Sequence, residues 1–202
     1  MAHAATAVDT RTLILDAARS RLLADGYAGL STRKVAEEAG VPVSQLNYHF
    51  GSKQGLILSL FAEENRRRLA RQTAMYAEDL PLWQRYEQAC DFLEDDLESG
   101  YVRVLQELIA ASWADTEVAK VVRAGLLSWF DLITELTRKA ERELGGVGPF
   151  SAKEVAALIG TAFMGAESLY LIGGEKKGVP LRQALRRFGD LIRIAESGKS
   201  MR

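Results

Sequence analysis

Apolar residues recur three and four positions apart through nearly the whole chain, and no segment shows a convincing two-residue alternation. This spacing places side chains on one face of an α-helix, so the pattern predicts an all-α fold. Ser151 and Glu154 form a capping-box pattern that marks the start of one helix. After Pro81 we expect five helices, at residues 81–98, 101–113, 116–144, 151–172 and 181–196.

The first part of the chain has shorter periodic segments that end at glycines. They predict helices at about 10–25, 31–39 and 43–50, followed by a long helix at about 53–78. The three short helices and the start of the fourth form a compact unit. We therefore expect three regions: a flexible leader at 1–9, a helix-turn-helix domain at 10–56, and a helical bundle at 57–202.

Composition excludes several classes of protein. Apolar residues make up 48% of the chain and charged residues 26%, as in a folded helical protein. No apolar run approaches the roughly 20 residues that a membrane helix needs, and the N-terminus lacks a secretory signal, so we expect a cytoplasmic protein. One cysteine, Cys90, and two histidines leave few candidates for catalysis, no metal site and no cofactor motif. We expect Cys90 to be a buried apolar residue and the protein not to be an enzyme.

The charge pattern gives only weak support for a nucleic-acid partner. The formal net charge is -1, and residues 1–56 hold six basic and five acidic side chains. A single N-terminal domain should therefore bind DNA weakly, and two domains joined in a dimer are needed for useful affinity. The basic run at 66–71 and the acidic run at 94–98 are interpreted as solvated faces.

The segment 31–50 has the layout of a helix-turn-helix: a helix, a tight glycine-containing turn at 40–42, and a second helix. The N-terminal part of such a second helix reads base edges in the major groove. Gln45 or Asn47 can pair with adenine, Ser44 suits several bases, and Val43 can touch a thymine methyl group. Leu46 and Phe50, four apart, form the inner face.

Donors flank this second helix where phosphates would lie. They are Thr32, Arg33, Tyr48, His49 and Lys53. Simpler interpretations remain open for three of the candidate residues, since Gln45 and Asn47 can merely face solvent and Tyr48 can pack against the first helix as core. A pH-sensing role for His49 has no support from its sequence neighbours.

The stretch "STRKVAEEAGVPVSQLNYHFGSKQGLI" resembles the DNA-binding signature of TetR-type transcriptional regulators, and the match runs over residues 10 to about 60. The common pattern has Tyr at the positions of Asn47 and His49, so phosphate contact is assigned here to Tyr48 and His49. The resemblance implies a homodimer on a near-palindromic double-stranded operator, a C-terminal ligand-binding domain, and dimerisation through the last two long helices. It also implies that repression is the default action.

The C-terminal region offers aromatic side chains and one unusual carboxylate. A bundle that binds a partly apolar effector would be lined by such residues, and the candidates are Phe92, Trp113, Trp129, Phe130, Phe163, Met164 and Glu167. Glu167 shares a helical face with apolar residues and needs a partner there: a cationic ligand group, an Arg of the bundle, or the second subunit. The small residues Ala157, Thr161 and Gly165 suit close packing of two subunits, although both helices can instead serve their own subunit.

Two rival classes remain open at this point. One is a helical carrier or scaffold that binds an apolar molecule without DNA, and the other is an enzyme that uses the apolar cavity. The identities of operator and effector cannot be read from generic helices.

Overall fold

The computed structural model describes residues 9–199, and in that range the chain forms nine α-helices, one 3-10 helix and no strand. The predicted all-α class is confirmed. None of these described helices is long and apolar enough to cross a membrane. The helices are α1 Thr10–Gly29, α2 Thr32–Ala39, α3 Val43–Phe50, α4 Lys53–Tyr76, α5 Leu82–Glu98, α6 Tyr101–Ala111, α7 Thr116–Leu144, α8 Ala152–Leu171 and α9 Leu181–Lys199, with the 3-10 helix at Glu175–Lys177.

Local sequence signals set several helix ends. Gly26 interrupts α1 with φ 73° and ψ 176°, a conformation that only glycine adopts easily. The predicted capping box is present: the Glu154 N–H donates to Ser151 Oγ at 3.3 Å, and the Ser151 N–H donates to the Glu154 carboxylate at 2.8 Å. The Ser151 N–H and hydroxyl both donate to the Glu154 carboxylate, which favours its ionised form and holds the pKa of Glu154 below its ordinary value. The leader predicted at 1–9 lies outside the described residues except for Asp9.

The N-terminal unit combines the described residues up to Arg66 with the later segment Glu107–Val122. α1 packs on both α2 and α3 within it. The unit is larger than the predicted helix-turn-helix domain, which ended at residue 56. The first half of α4 and the segment Glu107–Val122 complete its apolar core. Its most deeply buried side chains are Ile14, Val35, Leu46, Leu56, Ile57, Leu60, Leu108 and Val118.

Two carboxylates join the later segment to the rest of the N-terminal unit. Glu107 Oε2 accepts the backbone N–H of Tyr27 at 2.5 Å, directly after the break at Gly26. Asp115 Oδ2 accepts from the Gln54 amide at 2.7 Å, while its other oxygen caps the start of α7 at the Glu117 and Val118 N–H groups. Both hydrogen bonds lower the pKa of Asp115, and the one from the Val118 N–H has a larger effect than the one from the Gln54 amide. The unit is therefore held together by polar contacts as well as by its core.

The C-terminal unit contains residues 67–106 and the chain from Arg123 onward. α9 packs against α5 and α8. Cys90 is buried and free, as predicted, and burial raises the pKa of its thiol to about 11. The core cluster consists of Tyr86, Cys90, Leu93, Phe163, Ala166 and Leu185.

The basic and acidic runs of this unit contact each other instead of facing only solvent. Arg68 forms an ion pair with Asp96, and its guanidinium lies 3.7 Å from the centre of the Tyr101 ring. Arg71 lies 4.8 Å from the centre of the Phe92 ring and 3.9 Å from the Asp95 carboxylate. The interpretation of both runs as solvated faces was therefore wrong for Arg68 and Asp96, because α4 and α5 place these opposite charges side by side. The side chains of Arg71 and Asp95 remain exposed, as that interpretation predicts.

Candidate nucleic-acid interface

A tight turn positions α3 after α2. Gly40 adopts φ 67° and ψ 30° at the end of α2, and its N–H donates to the Glu37 carbonyl at 3.1 Å. Pro42 precedes α3 with φ −62°, a value its ring favours. Leu46 is fully buried and Phe50 is nearly so, which fixes the inner face of α3 as predicted.

The opposite face of α3 is open to solvent. Ser44, Gln45 and Asn47 are exposed, and Val43 and Tyr48 expose 39% and 82% of their surface. An 82% exposed aromatic ring excludes the interpretation of Tyr48 as ordinary core. The face thus carries the hydroxyl, amide and methyl groups that base edges accept in the major groove.

His49 differs from its neighbours because it is half-buried. Its ring makes an edge-on contact with Tyr48, with ring centres 5.1 Å apart, and lies 6.1 Å from the ring of Phe50. The guanidinium of Arg11 lies 5.6 Å from the centre of the Phe50 ring. The last turn of α3 is therefore an aromatic row with a cation beside its buried end.

Three of the predicted phosphate donors lie at the starts of α2 and α4, and the other two, Tyr48 and His49, lie in the last turn of α3. Thr32 is half-buried and Arg33 is exposed. Lys53 is half-buried, and its ammonium donates to the Ala28 carbonyl at 3.0 Å. An ammonium has three N–H donors, so this bond leaves Lys53 able to contact a phosphate. Ser52 caps α4 by accepting the Gly55 N–H at 3.0 Å.

The fold can be compared with known proteins once this geometry is established. Residues 14–60 match the model of the bacterial regulatory proteins of the tetR family. A putative TetR-family transcriptional regulator from Rhodococcus sp. is 20% identical, with a TM-score of 0.73 over 91% of this chain and 97% of that one. No curated protein matches the chain.

Two further solved structures have bound molecules. The transcriptional regulator FadR from Bacillus subtilis, in complex with stearoyl-CoA, is 14% identical, with a TM-score of 0.71 over 90% of this chain and 96% of that one. A putative transcriptional regulator from Saccharomonospora viridis, in complex with choline, is 21% identical, with a TM-score of 0.73 over 88% and 94%. At these identities the structures show a shared fold.

Together, the helix-turn-helix and the helices that follow it form the architecture that these solved regulators share. The resemblance found in the sequence is confirmed: residues 14–60 match the tetR-family model, and the chain has the fold of TetR-family transcriptional regulators.

The residues predicted to contact an effector are not brought together as one group. Phe163 is in the core cluster, Trp129 packs against that cluster, and Phe92 is buried beneath Arg71. Trp113 differs from the others: it is 84% exposed, in the turn between α6 and α7, and not among the buried residues of the core. Aromatic character alone did not distinguish it from a core residue.

Phe130 and Met164 lie close to the face of α8 that holds Glu167. The Phe130 ring packs against Gly160, where an added Cβ would lie 2.8 Å from the ring Cζ. Met164 is half-buried, one turn before Glu167. Gly160 therefore permits a close approach of α7 and α8 at this point.

Glu167 has an amide as its partner. The Gln106 Nε2 group donates to its carboxylate at 3.2 Å, and the Ser168 hydroxyl donates to Gln106 Oε1 at 2.9 Å. Burial raises the pKa of Glu167 to about 7, an effect only partly opposed by the Gln106 bond. The pairing with an Arg of the bundle, one of the predicted alternatives, is not seen among residues 9–199.

Metal binding receives no support from the described part of the chain, which has no group of three or more His, Cys, Asp or Glu side chains suited to hold an ion.

Proposed function

We propose that the protein is a ligand-responsive transcriptional repressor that binds a near-palindromic operator as a homodimer. The observation that carries this proposal is the division of α3 into two faces. Leu46 and Phe50 are buried, while the polar and aromatic side chains from Ser44 to Tyr48 on the other face are exposed. A surface helix of eight residues with this composition is suited to groove reading.

The roles of the interface residues follow from their chemistry. Gln45 and Asn47 present amides to adenine, Ser44 presents a hydroxyl, and Val43 presents methyl groups to thymine. Phosphates are assigned to the residues on the flanks and the last turn of α3. These are Thr32, Arg33, Tyr48, His49 and Lys53.

The exposed apolar surface of the last two helices supports a homodimer. Large apolar side chains on α8 and α9 are open to solvent, and small residues on α8 allow close approach of a second copy. The large ones include Leu158 at 56%, Leu191 at 60% and Ile194 at 67% exposed, and the exposed small ones are Ala157, Thr161 and Gly165. A dimer would also bind one operator with two N-terminal units, each of which carries little net positive charge.

Ligand response is assigned to the C-terminal unit. The related folds from Bacillus subtilis and Saccharomonospora viridis were solved with stearoyl-CoA and choline, which supports a small, partly apolar effector for this chain as well. DNA would hold the two recognition helices one helical turn apart, at about 34–36 Å. An effector that binds better to a dimer with another spacing would release the operator.

Selection of bound DNA from a random pool tests this function. We expect a near-palindromic consensus, and Asn47→Ala should lose about 1–3 kcal/mol of discrimination at one base pair of each half-site. Lys53→Ala should weaken binding to all sequences and lower the salt slope by about one per protomer. Lys120→Ala removes an exposed charge of the same unit and serves as the control. Absence of any enriched sequence, or equal binding by all these variants, would refute the proposal.

A further inference from the structure

Glu167 is a charged side chain that follows apolar residues on one face of α8. Gly160, Phe163 and Met164 precede it at the spacing that shares a helix face. Phe163 is in the core, and the Phe130 ring covers Gly160. Apolar and aromatic groups therefore occupy the turns of α8 that precede the carboxylate on this face.

The chain itself gives this carboxylate little compensation. No Lys, Arg or His of the described residues forms an ion pair with Glu167, whose side-chain partner is the neutral amide of Gln106. Ser168 holds that amide through its oxygen, so the NH2 group points toward the carboxylate. Burying a carboxylate without a cation costs several kcal/mol, and one neutral hydrogen bond offsets only part of that cost.

The carboxylate can be reached from outside. Glu167 itself is only half-buried, so part of its side chain is open to solvent. A charged ligand group could therefore approach without unfolding α8. The faces of aromatic rings attract cations as well as apolar groups, and Phe163 lies one turn before Glu167 on α8.

We propose that Glu167 is the counter-ion of an organic cation with an apolar body, such as a quaternary ammonium or a protonated amine, and that this cation is the effector. The inference rests on the proposed ligand response and specifies its chemistry. Gln106 positions the carboxylate, Glu167 neutralises the cation, and the apolar face of α8 covers the body of the ligand. The Glu167 pKa of about 7 agrees with this role, because the carboxylate can take up a proton when no cation is bound.

Matched compounds test the charge requirement. Binding of decyltrimethylammonium and benzyltrimethylammonium is compared with that of decanol, benzyl alcohol and decanoate by calorimetry on the full-length dimer at pH 8. We expect at least one cation to bind at least tenfold more tightly than its neutral match. Failure of both cations to bind, or equal affinity for cation and alcohol, would overturn the inference.

Two variants then locate the effect. Glu167→Gln keeps the shape of the side chain and should lose at least tenfold in cation affinity while binding the alcohols unchanged. Glu143→Gln, which alters an exposed carboxylate of the same unit, should behave like the parent. Unchanged cation binding by Glu167→Gln would assign the site elsewhere and refute the proposal.

Operator binding separates the two levels of inference. The unliganded parent and Glu167→Gln should bind the selected operator equally, and the cation should release only the parent. If the parent protein shows no sequence-selective DNA binding, the proposed function itself is refuted. Intact DNA binding without a cation preference would refute the Glu167 assignment alone.

Discussion

Replacing Glu107 should destabilise the N-terminal unit, although this residue lies far along the chain from α3. Its carboxylate accepts the Tyr27 N–H at 2.5 Å, and it lies 3.2 Å from the position of a Cβ on Gly26. A hydrogen bond to a charged group contributes about 1.5–3 kcal/mol, and its loss leaves a part-buried backbone donor without a partner. We therefore expect Glu107→Ala to lower the free energy of unfolding by about 1–3 kcal/mol. Glu107→Gln keeps an acceptor oxygen and should lose about half as much.

Urea unfolding followed by circular dichroism measures this difference at one fixed protein concentration, because the stability of the proposed dimer would depend on concentration. Hydrogen exchange at the Tyr27 amide gives a local readout, and its protection should fall in Glu107→Ala. Glu98→Ala removes an exposed carboxylate of the other unit and should match the parent in both assays. If the midpoint and the Tyr27 exchange rate of Glu107→Ala equal those of the parent, the argument that this contact closes the unit is wrong.

Three further predictions concern the C-terminal unit. Gly160→Ala should destabilise the protein by roughly 1–3 kcal/mol in urea unfolding because its Cβ would press on the Phe130 ring, whereas Gly198→Ala, with no atom in the way, should not. Because Glu167 has a native pKa raised from 4.5 to about 7, the native state holds the extra proton, so stability should fall as pH rises from about 5 to 8, by at most about 3 kcal/mol. Thermal unfolding of Glu167→Gln should lack this decline, and a parallel decline in the variant would assign it to other groups. Ile194→Glu should yield monomers in analytical ultracentrifugation and lose operator binding, while a dimer that persists would place the interface elsewhere.

Features fixed by neighbouring residues could be predicted from the sequence. The glycine at the α2–α3 turn, the Ser151–Glu154 capping box and the two faces of α3 each depend on residues within a few positions of one another. Helical periodicity acts over the same short range. The class of fold and the two faces of α3 could be predicted for this reason.

Features fixed by distant residues were missed. Glu107 and Tyr27 are 80 positions apart, and Gln106 and Glu167 are 61 apart. A carboxylate on a helix gives no sign in the sequence of the partner it will meet. The exposure of Trp113 was not predicted for the same reason, since an aromatic side chain in a helical pattern can be core, pocket or surface.

During synthesis α3 leaves the ribosome well before Glu107 and Asp115 have been made. The N-terminal unit therefore lacks part of its own core until the segment Glu107–Val122 emerges. The same fact limits domain grafting. A chimera that joins only residues 10–66 to another regulator would lose the partners of Tyr27 and Gln54, and a working exchange has to carry the segment Glu107–Val122 along with them.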